Sequence, residues 1–296
     1  EDTDYFRPSA IHYQKYGCFT KLKPNANPNS EYGKWIREEV RRCWEGYIIP
    51  SDGEWITGDM YFFLNYCPIQ LIKKDSKGKS IRTIDFPRFL DGQYYCFHYL
   101  LQCRNEGHHA VQLAKRGAGK SFLAAAMLAK RFILGESKEV NRKVQCVATA
   151  SERKYIQGAN QLLDMFQYYI DFCAKNTEFP RQRITSSLQN LSWTMGYIDS
   201  ETNTRRGTEN SVIGITSKDD ESKLRGSRGV LYLLEESGCH IKGTVCYKAD
   251  RTKEKVENIK VGDSLLGPDL LPRKVLKTFK GVTKMYKITL SNGDIQ

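Results

Sequence analysis

The chain contains no apolar run long enough to cross a membrane as a helix, so no helical span is expected within its 296 residues. It contains no C-x-x-C pair. Its nine cysteines are scattered and odd in number, which argues against a zinc ribbon and against a disulfide framework, and suits a reducing compartment. No internal repeat and no low-complexity tract is visible, so solenoid and disordered architectures are set aside. The opening Glu1-Asp2-Thr3-Asp4 has neither the basic start nor the apolar core of a signal peptide. An initiating Met is also missing, which suggests a fragment or a processed start.

What is present is an ordinary globular composition, 40% hydrophobic and 27% charged, over a length that can hold one large domain or two small ones. The acids are outnumbered, giving a formal net charge of +12. Such a surplus favours a polyanionic partner such as DNA, through phosphate contacts and counterion release.

Periodicity divides the chain. The spacing predicts helices over 31–44, 56–66 and 91–103, the last two rich in aromatics, with a polar turn at 73–79. From about residue 105 the pattern alternates: strand 110–113, helix 121–134 ended by Gly135, strand 144–148, a long helix 151–173, and strand 212–216. Residues 230–234, five apolar side chains in a row, read as a strand buried on both faces of a parallel sheet. After Gly238 the helix signals stop, and short strands alternate with Gly, Asp and Pro turns. The expected organisation is a helical region over 1–104, an α/β core over 105–238, and a small all-β segment over 239–296.

Two motifs in the core carry chemistry. Residues 114–121 read Ala-Lys-Arg-Gly-Ala-Gly-Lys-Ser, a Walker A loop with Ala114 in place of the usual first glycine. Gly117 and Gly119 let the backbone approach phosphate oxygens, and Lys115, Arg116 and Ala118 complete the loop. Its amides and the N-terminus of the next helix supply positive field. Lys120 can reach the β- and γ-phosphates of ATP, and the Ser121 hydroxyl can ligate Mg2+. The second motif is Val230-Leu231-Tyr232-Leu233-Leu234-Glu235-Glu236, a strand that ends in two acids. Glu235 would hold the magnesium shell, although Asp is more usual there, and Glu236 would orient or deprotonate the attacking water. Arg116, Arg225 and Arg228 are candidates for neutralising charge in the transition state. Each motif also has a plainer reading: a glycine turn, two solvated carboxylates, a basic loop.

Four blocks together resemble phage terminase large subunits. They are Thr57-Gly58-Asp59-Met60-Tyr61-Phe62-Phe63-Leu64-Asn65-Tyr66-Cys67-Pro68; Asp85-Phe86-Pro87-Arg88-Phe89-Leu90-Asp91-Gly92-Gln93-Tyr94; the Ala-variant phosphate loop; and Leu224-Arg225-Gly226-Ser227-Arg228 leading into Glu235-Glu236-Ser237-Gly238. The resemblance covers most of residues 50–238. It implies a P-loop NTPase with a parallel-type sheet that drives double-stranded viral DNA into a procapsid as part of a homo-oligomeric ring. The partners implied are the portal and a terminase small subunit, in the cytoplasm of an infected bacterial host, with no membrane. It implies that the aromatic segment before the loop helps hold adenine, with Gln93 as a candidate, and that Arg225 or Arg228 of a neighbouring subunit completes the site. The family's nuclease domain is not present in this chain.

From Cys239 a second resemblance begins. Cys239-His240-Ile241-Lys242-Gly243-Thr244-Val245, then Val256-Glu257-Asn258-Ile259-Lys260-Val261-Gly262-Asp263-Ser264-Leu265-Leu266, then Tyr286-Lys287-Ile288-Thr289-Leu290-Ser291-Asn292-Gly293 are similar to the N-terminal part of inteins and related Hint domains. The resemblance implies that the Cys239 thiolate attacks the Gly238 carbonyl and converts that amide into a thioester, the first step of protein splicing. A small hydrophobic Cys in a β-domain is the plainer reading. The Asn292-Gly293 turn lacks its returning strand, and the Thr-x-x-His motif and terminal His-Asn pair of such domains lie beyond Gln296. This is therefore expected to be a truncated Hint domain, either cut or completed by a separate C-terminal intein half. Alternatives are another P-loop ATPase or a helicase hosting the same insertion, a binding module with a vestigial loop, and autoprocessing without ligation.

Overall fold

A computed structural model describes residues 3–49, 53–74, 80–112, 118–136, 143–150, 152–216, 229–234, 243–266, 271–275 and 278. The chain divides into two compact units, Glu1–Glu235 and Glu236–Gln296.

The first unit opens with helix α1 (Pro8–Tyr16) and helix α2 (Glu31–Glu45), whose Ser30 cap accepts from the Gly33 amide at 3.0 Å. Strands β1 (Tyr47–Ile48) and β2 (Trp55–Ile56) pair and lead into helix α3 (Gly58–Tyr66), capped by the Thr57 hydroxyl on the Met60 amide. Apolar and aromatic side chains surround α3, as expected of a helix buried on every side. It passes so close to α2 that a Cβ on Gly58 would lie 2.3 Å from the Cys43 carbonyl oxygen. Of the polar stretch read as a turn over 73–79, Lys73 and Lys74 lie on β3 (Ile69–Lys74), which pairs antiparallel with β4 (Ser80–Asp85), and residues 75–79 lie outside the described residues. Alternation there is too irregular to announce a strand. Helix α4 (Asp91–Asn105) follows.

Helix α5 (Lys120–Leu134) carries the end of the Walker A loop on its first turn. Strand β5 (Gln145–Ala150) comes next, then helices α6 (Arg153–Ile156) and α7 (Leu162–Asn176). The single long helix expected over 151–173 is broken between them, where Asn160 adopts φ 64° beside Gly158. Strands β6 (Arg183–Ser187), β7 (Ser192–Met195), β8 (Tyr197–Ile198), β9 (Arg205–Arg206), β10 (Ser211–Thr216) and β11 (Leu231–Leu234) complete the unit. Four of them and β5 form one sheet in the order β11-β5-β10-β7-β6. It is mixed rather than wholly parallel: β11, β5 and β10 run parallel, while β7 and β6 are antiparallel additions. Among the described residues β11 is an edge strand, so Tyr232 (41% exposed) and Leu234 (62%) are not buried as the apolar run suggested. Residues 110–112, read as a strand, are irregular, and Leu113 lies outside the described residues.

Charge fastens α5 from the side. Asp59 of α3 accepts Lys130 Nζ at 2.7 Å and both terminal nitrogens of Arg131, at 3.0 and 3.2 Å. Arg131 Nε also meets Glu136 at 2.8 Å, and Glu136 pairs with Arg104 of α4. Lys130 and Arg131 are each 2% exposed. Burial alone would raise the Asp59 carboxyl, but Arg131 and then Lys130 outweigh it and hold it well below the usual carboxylate range.

The second unit contributes two antiparallel pairs among its described residues, β12 (Val245–Tyr247) with β13 (Lys253–Lys255), and β14 (Ser264–Leu266) with β15 (Pro272–Lys274). Cys246 is on β12, half-buried.

Replacing Asp59 with Ala leaves two cations in the core without their counter-charge and is expected to cost about 3–5 kcal/mol in urea unfolding of the chain. The folded pKa of Asp59 is depressed. Its stabilising effect is therefore complete above the ordinary carboxyl range near about pH 4 and is lost as pH falls below it. The acid arm of the wild-type stability profile should flatten in the Asp59→Ala variant.

Candidate nucleotide site

The placement of α5 follows from how its far end is held. The buried Asn210 side chain donates to the Phe132 carbonyl at 3.3 Å and accepts from the Val144 amide at 3.1 Å. The indole of Trp44 donates to the Leu134 carbonyl at 3.0 Å. The last carbonyls of α5, which have no partner within the helix, are thus met by side chains. Asn210 immediately precedes β10 and Val144 precedes β5, so the C-terminus of α5 sits at the amino edge of the parallel strands. The helix packs on β5, β10 and β7. Fifteen residues of helix span about 22 Å and six residues of strand about 20 Å, so α5 runs back the full depth of the sheet. Its first turn, with Lys120 and Ser121, lies at the carboxyl edge.

That edge is where β5, β10 and β11 all end, at Ala150, Thr216 and Leu234. In open α/β sheets, ligands bind outside the carboxyl ends of the strands. Leu234 hands the chain directly to Glu235 and Glu236. Those two acids lie outside the described residues, as do Lys115, Arg116, Gly117, Arg225, Arg228 and Cys239, so no distance among them is stated.

The described part of the loop is Ala118 to Ser121. Gly119 takes φ 84°, a left-handed conformation at the N-cap of α5 that glycine adopts without penalty. A Cβ built there would sit 3.3 Å from Gln93 Nε2, so the Gln93 amide lies directly against the loop backbone. Gln93 is 9% exposed, and its Oε1 is buried with no hydrogen-bond partner among the described residues. Two residues read separately from the sequence, 26 positions apart, are brought side by side. Lys120 and Ser121 are half-buried, and both are engaged in interactions within the chain.

The dipole of α5 places partial positive charge at this first turn. The Ser121 hydroxyl on it is a hard oxygen donor of the kind Mg2+ takes. The orphaned acceptor on Gln93 has an opening for a donor, such as the exocyclic amine of a purine. Among the described residues there is no cluster of three or more His, Cys, Asp and Glu able to hold a metal. None of the described helices is long and apolar enough to cross a membrane. The anchors of α5 were missed by sequence reasoning: Asp59 reads as an ordinary first-turn acid and Asn210 as a loop residue. Neither carries a signal of burial.

Over 67 residues the chain is 37% identical to the catalytic subunit of the V-type proton ATPase of Candida tropicalis. The match covers 23% of this chain and 6% of that protein. The chain therefore shares a short stretch with the catalytic polypeptide of an ATPase. A stretch of that length cannot hold both the loop at 114–121 and the acids at 235–236. No family model matches the chain. No solved structure matches it either.

Gln93→Ala should weaken ATP binding up to about tenfold, the effect of one hydrogen bond, while the thermal midpoint holds or rises because an unmet buried polar group is removed. Titration with a fluorescent ATP analogue beside a melting curve separates the two effects. An unchanged affinity would remove Gln93 from the site.

Proposed function

We propose that residues 1–238 form the ATP-hydrolysing part of a DNA-packaging motor of the terminase large-subunit type, and that Cys239 opens the N-terminal segment of an intein. The nucleotide reading rests on one observation: the first turn of α5, with Gly119, Lys120 and Ser121, stands at the carboxyl edge of the sheet beside Gln93, and β11 leads out at that same edge toward Glu235 and Glu236. The stretch shared with the catalytic polypeptide of an ATPase is consistent with it. The further step to a packaging motor rests on the terminase-like blocks in residues 50–238 and on the basic charge.

In this reading the loop amides and Lys120 bind the β- and γ-phosphates. Ser121 and Glu235 would hold Mg2+, which when bound neutralises charge on the phosphate oxygens. Glu236 orients the attacking water and takes its proton. Arg116, Arg225 or Arg228, one of them from a neighbouring copy of the chain in a ring, offsets the charge that develops as the terminal phosphate leaves. Cys239 follows the acids so closely that the unspliced chain separates them from whatever couples hydrolysis to movement. Weak hydrolysis before splicing is the expected consequence.

Lys120→Ala should lower ATP affinity by at least about tenfold without unfolding the chain. Equal affinity in the variant would leave the loop vestigial. Hydroxylamine or dithiothreitol should release a fragment ending at Gly238, seen by intact mass spectrometry and lost in Cys239→Ala. Where the chain alone stays whole, the same test with a supplied C-terminal intein half decides. Failure there would end the splicing reading and leave the nucleotide reading untouched.

A further inference from the structure

Helices α4 and α5 meet at both ends. At their amino ends, Gln93 in the first turn of α4 lies against Gly119, the N-cap of α5. At their carboxyl ends, Arg104 in the last turn of α4 pairs with Glu136, just past the end of α5. Glu136 is held in turn by Arg131 Nε at 2.8 Å. Contacts in that order mean that the two helices run side by side in the same direction. Between its ends α4 rests on a different element. It packs on α3, where the rings of the buried Phe97 and Phe63 stand 6.0 Å apart. A helix held at its middle can rock. Phe97 lies ~6 Å along the axis from Gln93 and ~10 Å from Arg104. A shift at the Arg104 end therefore reaches Gln93 in the opposite sense and at roughly half its size. The useful range of a hydrogen bond is only about 0.5 Å, so a swing of about 1 Å at Arg104 is enough to misplace the Gln93 amide.

We infer that Arg104 is a positioning residue for the nucleotide site: its pair with Glu136 sets the tilt of α4 and, through it, where the Gln93 amide stands against the phosphate loop. The inference rests on the ATP reading above and extends that site to a residue ~16 Å along α4 from Gln93. The core does not need Arg104 for charge balance. Without it, Asp59 and Glu136 still stand against Lys130 and Arg131, one cation for each acid. The Arg104 side chain is also 48% exposed, and a pair with one partner half in water adds little to stability. What the pair does fix is direction. It joins the far end of α4 to a carboxylate that Arg131 already holds in place on α5.

The test is isothermal titration calorimetry on the whole chain with two probes, ATP and inorganic tripolyphosphate, each with Mg2+. Tripolyphosphate can occupy the loop but offers no base to Gln93. The proteins compared are wild type, Gln93→Ala, Arg104→Ala, the double variant, Arg104→Lys and Lys120→Ala. Arg104→Ala is expected to weaken ATP binding about threefold to tenfold, the range for residues that communicate, and to leave tripolyphosphate binding unchanged. Its thermal midpoint should stay near that of wild type. The double variant should lose no more than Gln93→Ala alone, because Arg104 acts only through Gln93. Arg104→Lys keeps the charge without the planar fork and should recover part of the loss. Wild-type ATP affinity in Arg104→Ala, an equal loss for tripolyphosphate, or losses that add in the double variant would each overturn the inference and leave the ATP reading standing. Wild-type ATP affinity in Lys120→Ala would remove the ATP reading, and this inference with it.

Discussion

The carboxylate of Asp59, held between Lys130 and Arg131, is the constraint on which the candidate site depends. Helix α5 has an apolar face toward the sheet, and that face alone would let it slide or rotate by small amounts. A buried, two-pronged Arg–carboxylate contact does not permit that, because its hydrogen bonds are directional and its charges are out of water. The network ties α5 to α3 directly and to α4 through Glu136 and Arg104. Gln93 belongs to α4 and Gly119 caps α5, so the same charges that stabilise the core set the spacing between the two. The helical region ahead of the core thus sets where the first turn of α5 stands as well as covering that helix.

A second buried carboxylate organises the other side of α3. Glu39 of α2 accepts from the hydroxyls of Ser9, Tyr61 and Tyr66 and from Arg42. Burial first, and then the Glu39 charge, push the Tyr61 and Tyr66 phenols well up, which keeps them protonated as donors. Glu39 and Asp59 together fix α3 against α2 on one side and α5 on the other. The close passage of Gly58 past the Cys43 carbonyl is possible because glycine has no Cβ to occupy that space.

What the sequence announces and what it hides follow from physical cause. Helices α2, α3, α4 and α5 are legible because their caps and apolar spacing are local properties: Ser30, Thr57 and Gly135 stand where a cap or a stop is needed. The α6–α7 break is not legible, since Gly158 and Asn160 both take positive φ there and a helix can tolerate either residue type in its interior. The apolar run before Glu235 reads as doubly buried, yet burial depends on which strands lie beside it, and β11 is at an edge among the described residues. The hairpin β3–β4 escapes notice because lysine-rich strands lack the alternation that signals a half-buried sheet. At the site, the Walker A glycines and Lys120 announce themselves by spacing. The meeting of Gln93 with Gly119 is a tertiary fact that spacing does not contain.

The two hydrogen bonds of Asn210 have a consequence for the evolution of this chain. One side chain, at the start of β10, grips the carbonyl of Phe132 on the way out of α5 and the amide of Val144 on the way into β5. Helix and strand are thereby held at the amino edge of the sheet by a third element. A substitution at position 210 is felt at the exit of α5 and at the entry to β5 at once, so the two can drift only together.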